Sequence, residues 1–242
     1  MPRLSKAEVV KQEGSAALTA KLAEAGFVAQ PQLAREMSPG GLQNLLFLGE
    51  RSTLFGQGGV EVAAAVEPSG GRKAWVLGVN VVLYSARADE VLAAAGGRER
   101  FRAGYLMVDL MELVMGKWRY SYRIGAYDPS DVDRVVSQIT ADVDQHAESW
   151  FSRFDDIDTG EEFLFDNPTQ NFQVNHDGGL VAALGRGDLE SARRFSAGTG
   201  SMWKPEIGQE HVEERADFYR RIGEQYGVEL PLVTWDEVRA RT

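Results

Sequence analysis

Cysteine is absent from the 242 residues. A disulfide framework, a thiolate zinc site, an iron–sulfur cluster and a catalytic thiol are therefore all closed to this chain. Histidine is scarce, with His146, His176 and His211 making up the whole complement. An all-histidine metal site would need every one of them to converge. No run of 18 apolar residues exists, and residues 1–14 carry charges where a signal peptide has its apolar stretch. The expectation is a cytoplasmic protein without a membrane segment, and the missing cysteines suit a reducing compartment. Bases are also in short supply. Lys and Arg number 26 against 36 Asp and Glu, for a net charge of −10. Hydrophobic residues at 43% and charged residues at 26% are those of a globular chain, which excludes wholesale disorder and fibrous repeats.

The negative charge is concentrated. Between Asp128 and Glu162 lie eleven acids and only two bases, Arg134 and Arg153. Such a sector repels phosphate backbones and attracts cationic partners or divalent metals. Nucleic acid is therefore disfavoured as a partner of the surface at large.

Periodicity gives the organisation. Ser5 and Glu8 have capping-box spacing, Val9, Val10, Leu18 and Leu22 recur at helical intervals, and Gly26 stands as a stop, predicting a helix over 5–25. Runs rich in Val, Leu and aromatics predict strands over 42–53, 60–66, 75–85, 105–114 and 117–127, with a short helix over 87–95. Gly56-Gln-Gly58-Gly59 and Pro68-Ser-Gly70-Gly71 read as turns. Pro129 opens a long helix whose stripe runs Val132, Val135, Val136, Ile139, Val143, Ala147, Trp150, Phe151 and Phe154. Residues 155–168 read as an acidic connector, with at most one helical turn at 161–165. A helical hairpin over 179–197, a loop through Gly198, Gly200 and Pro205, a helix over 206–226 and a polar tail beyond Pro231 complete the chain. The expected fold is α+β: a mostly antiparallel sheet of about five strands, covered by helices, over 1–155, with a helical extension over 156–242 packed on it as one body.

Leu18-x3-Leu22-x3-Gly26-Phe27, the strand Trp75-Val-Leu-Gly-Val-Asn80-Val-Val-Leu-Tyr84 and the helix end Trp150-Phe151 together resemble a bacterial domain-of-unknown-function family. The likeness spans roughly 15–155 and departs at 30–41, where a basic cluster is missing. It implies an α+β fold and no settled activity. The stretch Leu180 to Phe195, with its Gly187-Asp188 turn, resembles a tetratricopeptide-type helix pair, and one pair makes no array.

Several chemistries are tested by spacing. Asp142 and His146, four apart on one helix, share a face and make a candidate metal pair, while Asp144 lies on another face. Asp156-Ile-Asp158-Thr-Gly160 echoes a calcium loop, but its glycine comes one residue early and position 166 is Asp. Gly56–Gly59 precedes no helix and lacks Gly-Lys-Ser/Thr, so it is no phosphate loop, and no Gly-x-Ser-x-Gly occurs. Lys117 to Arg123 alternates cations with Trp118, Tyr120 and Tyr122, which puts them on opposite strand faces. A stacking platform for single strands needs them together. The aromatics are expected under a helix, and the cations are expected either to face water or to pair with Asp109 and Glu112. On the last helix Arg215, Phe218 and Tyr219 offer either a partner surface or an internal face. Trp203 is either a loop anchor or an exposed hot spot.

The leading expectation is a non-catalytic interaction module of inhibitor or immunity type, with no cofactor. It would dock a basic protein through Asp142, Asp144, Asp155, Asp156, Asp158, Glu161, Glu162 and Trp203. The alternative is a metal-dependent hydrolase with Asp142 and His146 or His176 as ligands and Asp177 or Glu148 as base.

Overall fold

The structure is a computed structural model that describes residues 6–31, 43–69, 72–94, 106–116, 122–124, 130–166, 172–201, 203 and 205–240. The architecture is α+β, and the chain divides into two compact units: Met1–Tyr84 with Met107–Asp155, and Ser85–Leu106 with Asp156–Thr242.

The first unit holds α1 (Lys6–Glu24), β1 (Val28–Ala29), β2 (Gln43–Thr53), β3 (Gly56–Ser69), β4 (Arg72–Tyr84), β5 (Leu106–Asp109), α3 (Leu110–Met115), β6 (Tyr122–Ile124) and α4 (Ser130–Phe151). The strands form one sheet in the order β1-β2-β3-β4-β5, with β6 also pairing β4. Because β3 pairs β4 along its whole length, β5 and β6 share the opposite edge of β4. Opposite residues of an antiparallel pair share a face. Val60 faces Val81, Val62 faces Val79 and Ala64 faces Leu77, all buried. Helices α1 and α4 cover that face: a Cβ on Gly14 of α1 would lie 2.1 Å from the Trp75 ring, and one on Gly58 would lie 2.9 Å from Phe151 of α4. Every residue of the stripe expected for α4, from Val132 to Phe154, is buried.

The glycine run 56–59 corrects the sequence reading. It lies within β3, and the turn is formed instead by Leu54 and Phe55, whose hairpin closes at Thr53 and Gly56. Thr53 Oγ1 accepts the backbone N–H groups of Phe55 and Gly56 at 3.1 and 3.2 Å, so a threonine does the turn's work. Gly56, at φ 148°, closes the hairpin, while Gly58 and Gly59 serve close packing: a Cβ on Gly59 would fall 2.6 Å from the Phe47 carbonyl. The strand expected over 105–114 also stops short. Asp109 accepts from Met111 N at 2.8 Å and caps α3, which ends at Gly116 with φ 65°. Of the strand expected over 117–127, only Tyr122–Ile124 is among the described residues, and Trp118 and Tyr120 lie outside them.

The second unit is helical: α2 (Ala86–Ala94), α5 (Ile157–Asp166), α6 (Phe172–Arg186), α7 (Leu189–Ser201), α8 (Gln209–Tyr226) and α9 (Trp235–Arg239). Helix α5 replaces the acidic connector expected over 155–168. Asp156 Oδ1 accepts from Thr159 N at 2.9 Å, an N-cap, and Leu164 and Glu161 are buried on its inner side. The same bond explains why 156–160 is a helix start and not a calcium loop. The loop expected at Gly198 and Gly200 is instead the end of α7. The tail expected beyond Pro231 contains α9, closed by a reciprocal capping box between Thr234 and Glu237. Val238 of α9 packs with Trp203 and Val212, an apolar cluster that offsets the polarity of this stretch.

Candidate functional site

In the first unit, Asp142 projects from α4 with only 7% of its surface exposed. Its Oδ2 accepts from the Tyr122 hydroxyl at 2.6 Å and its Oδ1 from Gln138 Nε2 at 2.8 Å. Burial, and then the bond to Asp142, push the Tyr122 phenol far above its ordinary pKa, so it stays a donor. Both carboxylate oxygens are thus committed inside the fold. His146, one turn on, is half-buried, and Asp144 is exposed on the outer side of α4. Asp155 is exposed and accepts from Arg51 Nη2 at 2.5 Å, and Glu148 accepts from Arg51 Nε at 3.1 Å. Arg51 thereby ties the end of β2 to the end of α4.

Two more carboxyl groups sit nearby in this unit. Burial raises the Asp109 pKa against the pull of its two backbone donors. Burial and then the charge of Asp109 raise that of Glu112. Glu112 Oε2 is buried with no hydrogen-bond partner among the described residues. Lys117 and Arg119, the cations expected either to face water or to pair with these acids, lie outside the described residues. On the sheet face away from Val60 and Val81, Glu61 is fully buried, and Asn80, directly across on β4, donates to its Oε2 at 3.3 Å. Glu61 was invisible to the sequence reading, because an acid in a strand otherwise signals a wet position.

In the second unit the acids divide. Asp156, Asp158 and Glu162 are exposed. Glu161 is 5% exposed, pairs with Arg186 and accepts from Ser191 Oγ at 2.7 Å, fastening α5 to α6 and α7. Asp177 of α6 is fully buried, accepts from the Tyr219 hydroxyl at 2.7 Å and pairs with Arg215. Arg215, Phe218 and Tyr219 are all buried, so they form an internal face of α8 and not a partner surface. His176 sits against Phe165 and Phe195, with ring centroids at 5.2 and 5.9 Å. Burial pushes its pKa down to about 4 despite a hydrogen bond with the Leu164 backbone, which keeps the imidazole neutral. Trp203 is 3% exposed and anchors the apolar cluster under α9, so it is no exposed hot spot. Its Nε1 and the Nε2 of His211, the two rings edge to face, are buried without hydrogen-bond partners among the described residues.

The expected docking residues therefore separate by burial. Asp142, Glu161 and Trp203 are internal, while Asp144, Asp155, Asp156, Asp158 and Glu162 face solvent. Each internal carboxylate already holds hydrogen bonds or an ion pair, which offset its desolvation. Among the described residues no three His, Asp or Glu side chains gather as metal ligands, and no helix is long and apolar enough to cross a membrane. Compared with known proteins, the chain matches no family model, no curated protein and no solved structure.

Proposed function

We propose that this chain is a non-catalytic interaction protein whose exposed acids dock a basic protein partner, in the manner of an inhibitor or immunity protein covering a cationic surface. The observation that carries the reading is the outer side of α5. Asp158 and Glu162 are one turn apart and exposed, and like charges at that spacing weaken a helix by about 0.2–0.5 kcal/mol. Asp156 caps the helix and Glu161 holds Arg186, so those two acids serve the fold. Asp158 favours the helix start through the macrodipole, but Glu162 lies beyond the first turn and gains little from it. In this reading its charge serves a cationic partner. In the first unit, Asp144 is exposed on α4, while the equally exposed Glu148 already pairs with Arg51. Concentrated negative potential steers association with cationic surfaces and weakens with salt.

The test compares the native chain with Asp158→Lys/Glu162→Lys as bait in a host lysate at low and high salt. A stoichiometric basic protein held by the native chain, released by salt and lost by the variant is the expected result. Equal capture by both baits would overturn the reading.

A further inference from the structure

Groups from two helices close around an imidazole on a third. His176 of α6 is 2% exposed, and Phe165 of α5 and Phe195 of α7, stacked on each other at 4.4 Å, both meet it edge to face. Its Nδ1–Cε1 edge faces the backbone of α7, where a Cβ on Gly198 would stand 3.5 Å from Cε1 and 3.6 Å from Nδ1. The Leu164 backbone carbonyl of α5 accepts a hydrogen bond from the ring. One side chain thus joins the C-terminal end of α5 to α6 and α7.

The cage fits a neutral ring and not a charged one. An imidazolium carries two N–H donors and a full charge, and aromatic walls solvate neither. The charged groups on the surrounding helices give no relief. Glu161 of α5 holds Arg186 and Ser191, and Asp177 of α6 holds Arg215 and Tyr219 of α8. Arg194 of α7 lies over the Phe165 ring at 4.0 Å, a positive charge beside the cage. No three His, Asp or Glu gather among the described residues, so the ring serves packing and not a metal. The three helices are not held alike. Helix α6 is buried from His176 to Leu184, and a Cβ on its Gly179 would fall 2.3 Å from the Phe195 ring, so α6 and α7 are locked together. Helix α5 is exposed at Asp158, Thr159 and Glu162, and Phe165 is already half-buried. Lifting its end is the least costly way to bring water to the imidazole.

We propose that α5 is an acid-released arm: in mild acid His176 takes up a proton, the end of α5 leaves the α6–α7 pair, and Asp158 and Glu162 lose their fixed position. The inference deepens the docking reading and rests on it, because it supplies the regulation of that acidic face. The sign follows from linkage. The sealed ring has its pKa pushed down to about 4, a wet ring has 6.5, and below pH 6.5 the proton therefore favours the open arm. Between pH 7.5 and 5.5 the open fraction rises about tenfold.

The test is amide hydrogen exchange on the full chain at pH 7.5 and 5.5, corrected for intrinsic rates and repeated in low urea. The expected result is lower protection over residues 161–165 than over 180–184 at both pH values, with little urea dependence, and an acid loss over 161–165 of about tenfold. In His176→Gln, which keeps a donor for the Leu164 carbonyl and takes up no proton, that loss should vanish. The comparison of α5 with α6 in the native chain needs no variant. Equal protection and equal urea dependence in the two helices would mean that the ring is wetted only by global unfolding, which overturns the arm. Protection over 161–165 that ignores pH, or that falls as far in His176→Gln, would overturn His176 as its trigger. None of these outcomes involves a partner, so the lysate comparison decides the docking reading separately.

Discussion

Tyr219 donates its phenolic hydrogen to Oδ1 of Asp177 at 2.7 Å, and both residues are buried. Arg215, one turn earlier on α8, pairs with the same carboxylate, so a single acid on α6 holds two groups of α8 inside the second unit. A buried ion pair is costly to break from one side, because the remaining charge is left without compensation.

Asp177→Ala is expected to destabilise the protein by about 3–5 kcal/mol, since it strands Arg215. Tyr219→Phe should cost only about 1.5–3 kcal/mol, the net worth of one hydrogen bond to a charged group. Urea unfolding measures both. A loss in Asp177→Ala no larger than that in Tyr219→Phe would contradict the ion-pair account.

Two helix glycines are sized for aromatic rings. A Cβ on Gly14 would lie 2.1 Å from Trp75, and one on Gly179 would lie 2.3 Å from Phe195, both rings being buried and hemmed in. Alanine normally favours a helix over glycine by about 1 kcal/mol, but overpacking costs about 1–3 kcal/mol. Gly14→Ala and Gly179→Ala should therefore lower the melting temperature. If either raised it, helix propensity would have won, and the ring would have room to move.

His176 makes stability depend on pH. Its folded-state pKa is pushed down from 6.5 to about 4, so in mild acid the unfolded chain binds the extra proton and the folded one does not. Above pH 6.5 the group contributes no pH dependence. As pH falls from about 6.5 towards about 4 its effect is to reduce stability, by up to about 3 kcal/mol. Unfolding measured from pH 7.5 to 4.5 should fall more steeply for the native chain than for His176→Leu. Parallel curves would place the imidazole in contact with water.

Asp142 bears on the metal-dependent alternative. With its oxygens taken by Tyr122 and Gln138, the carboxylate is expected to give magnesium, manganese, zinc and calcium no stabilising hold. A ligand bound only by the native state must raise the melting temperature. The expected outcome is no metal-dependent shift in the native chain or in Asp142→Asn, and about 1–2 kcal/mol lost in Tyr122→Phe. A shift present in the native chain and absent from Asp142→Asn would revive the hydrolase reading.

The long elements were legible because their physics is local. The stripe of α4, the stop at Gly26 and the strands β2, β3 and β4 follow from side-chain period and turn chemistry, which act over a few residues. Among the short helices, α2 was legible within a residue of its bounds, but α5 and α9 were not. Helix α5 looked like a connector because acids dominate it, and α9 looked like a tail. The first is held by a cap and an inward Glu161, the second by apolar contacts from Val238 to Trp203 and Val212. The glycine run in β3 misled for a related reason: glycine marks a turn when the backbone needs it, and a close approach when a neighbour does.

The chain's acidity, its lack of thiol chemistry, the α+β class and the concentration of charge between Asp128 and Glu162 follow from composition and pattern alone. Which of those acids meet water was settled only by packing. Asp142 and Asp144 are two residues apart, as identical in type as the sequence can make them, yet one is sealed against Tyr122 and the other is exposed. Glu161 and Glu162 are adjacent and divide the same way. A carboxylate can be buried only where donors from elsewhere in the fold meet it, and those donors, Tyr122, Arg186, Ser191 and Arg215, come from other elements of the chain. Local pattern carries no information about such partners, because their approach depends on how the elements pack.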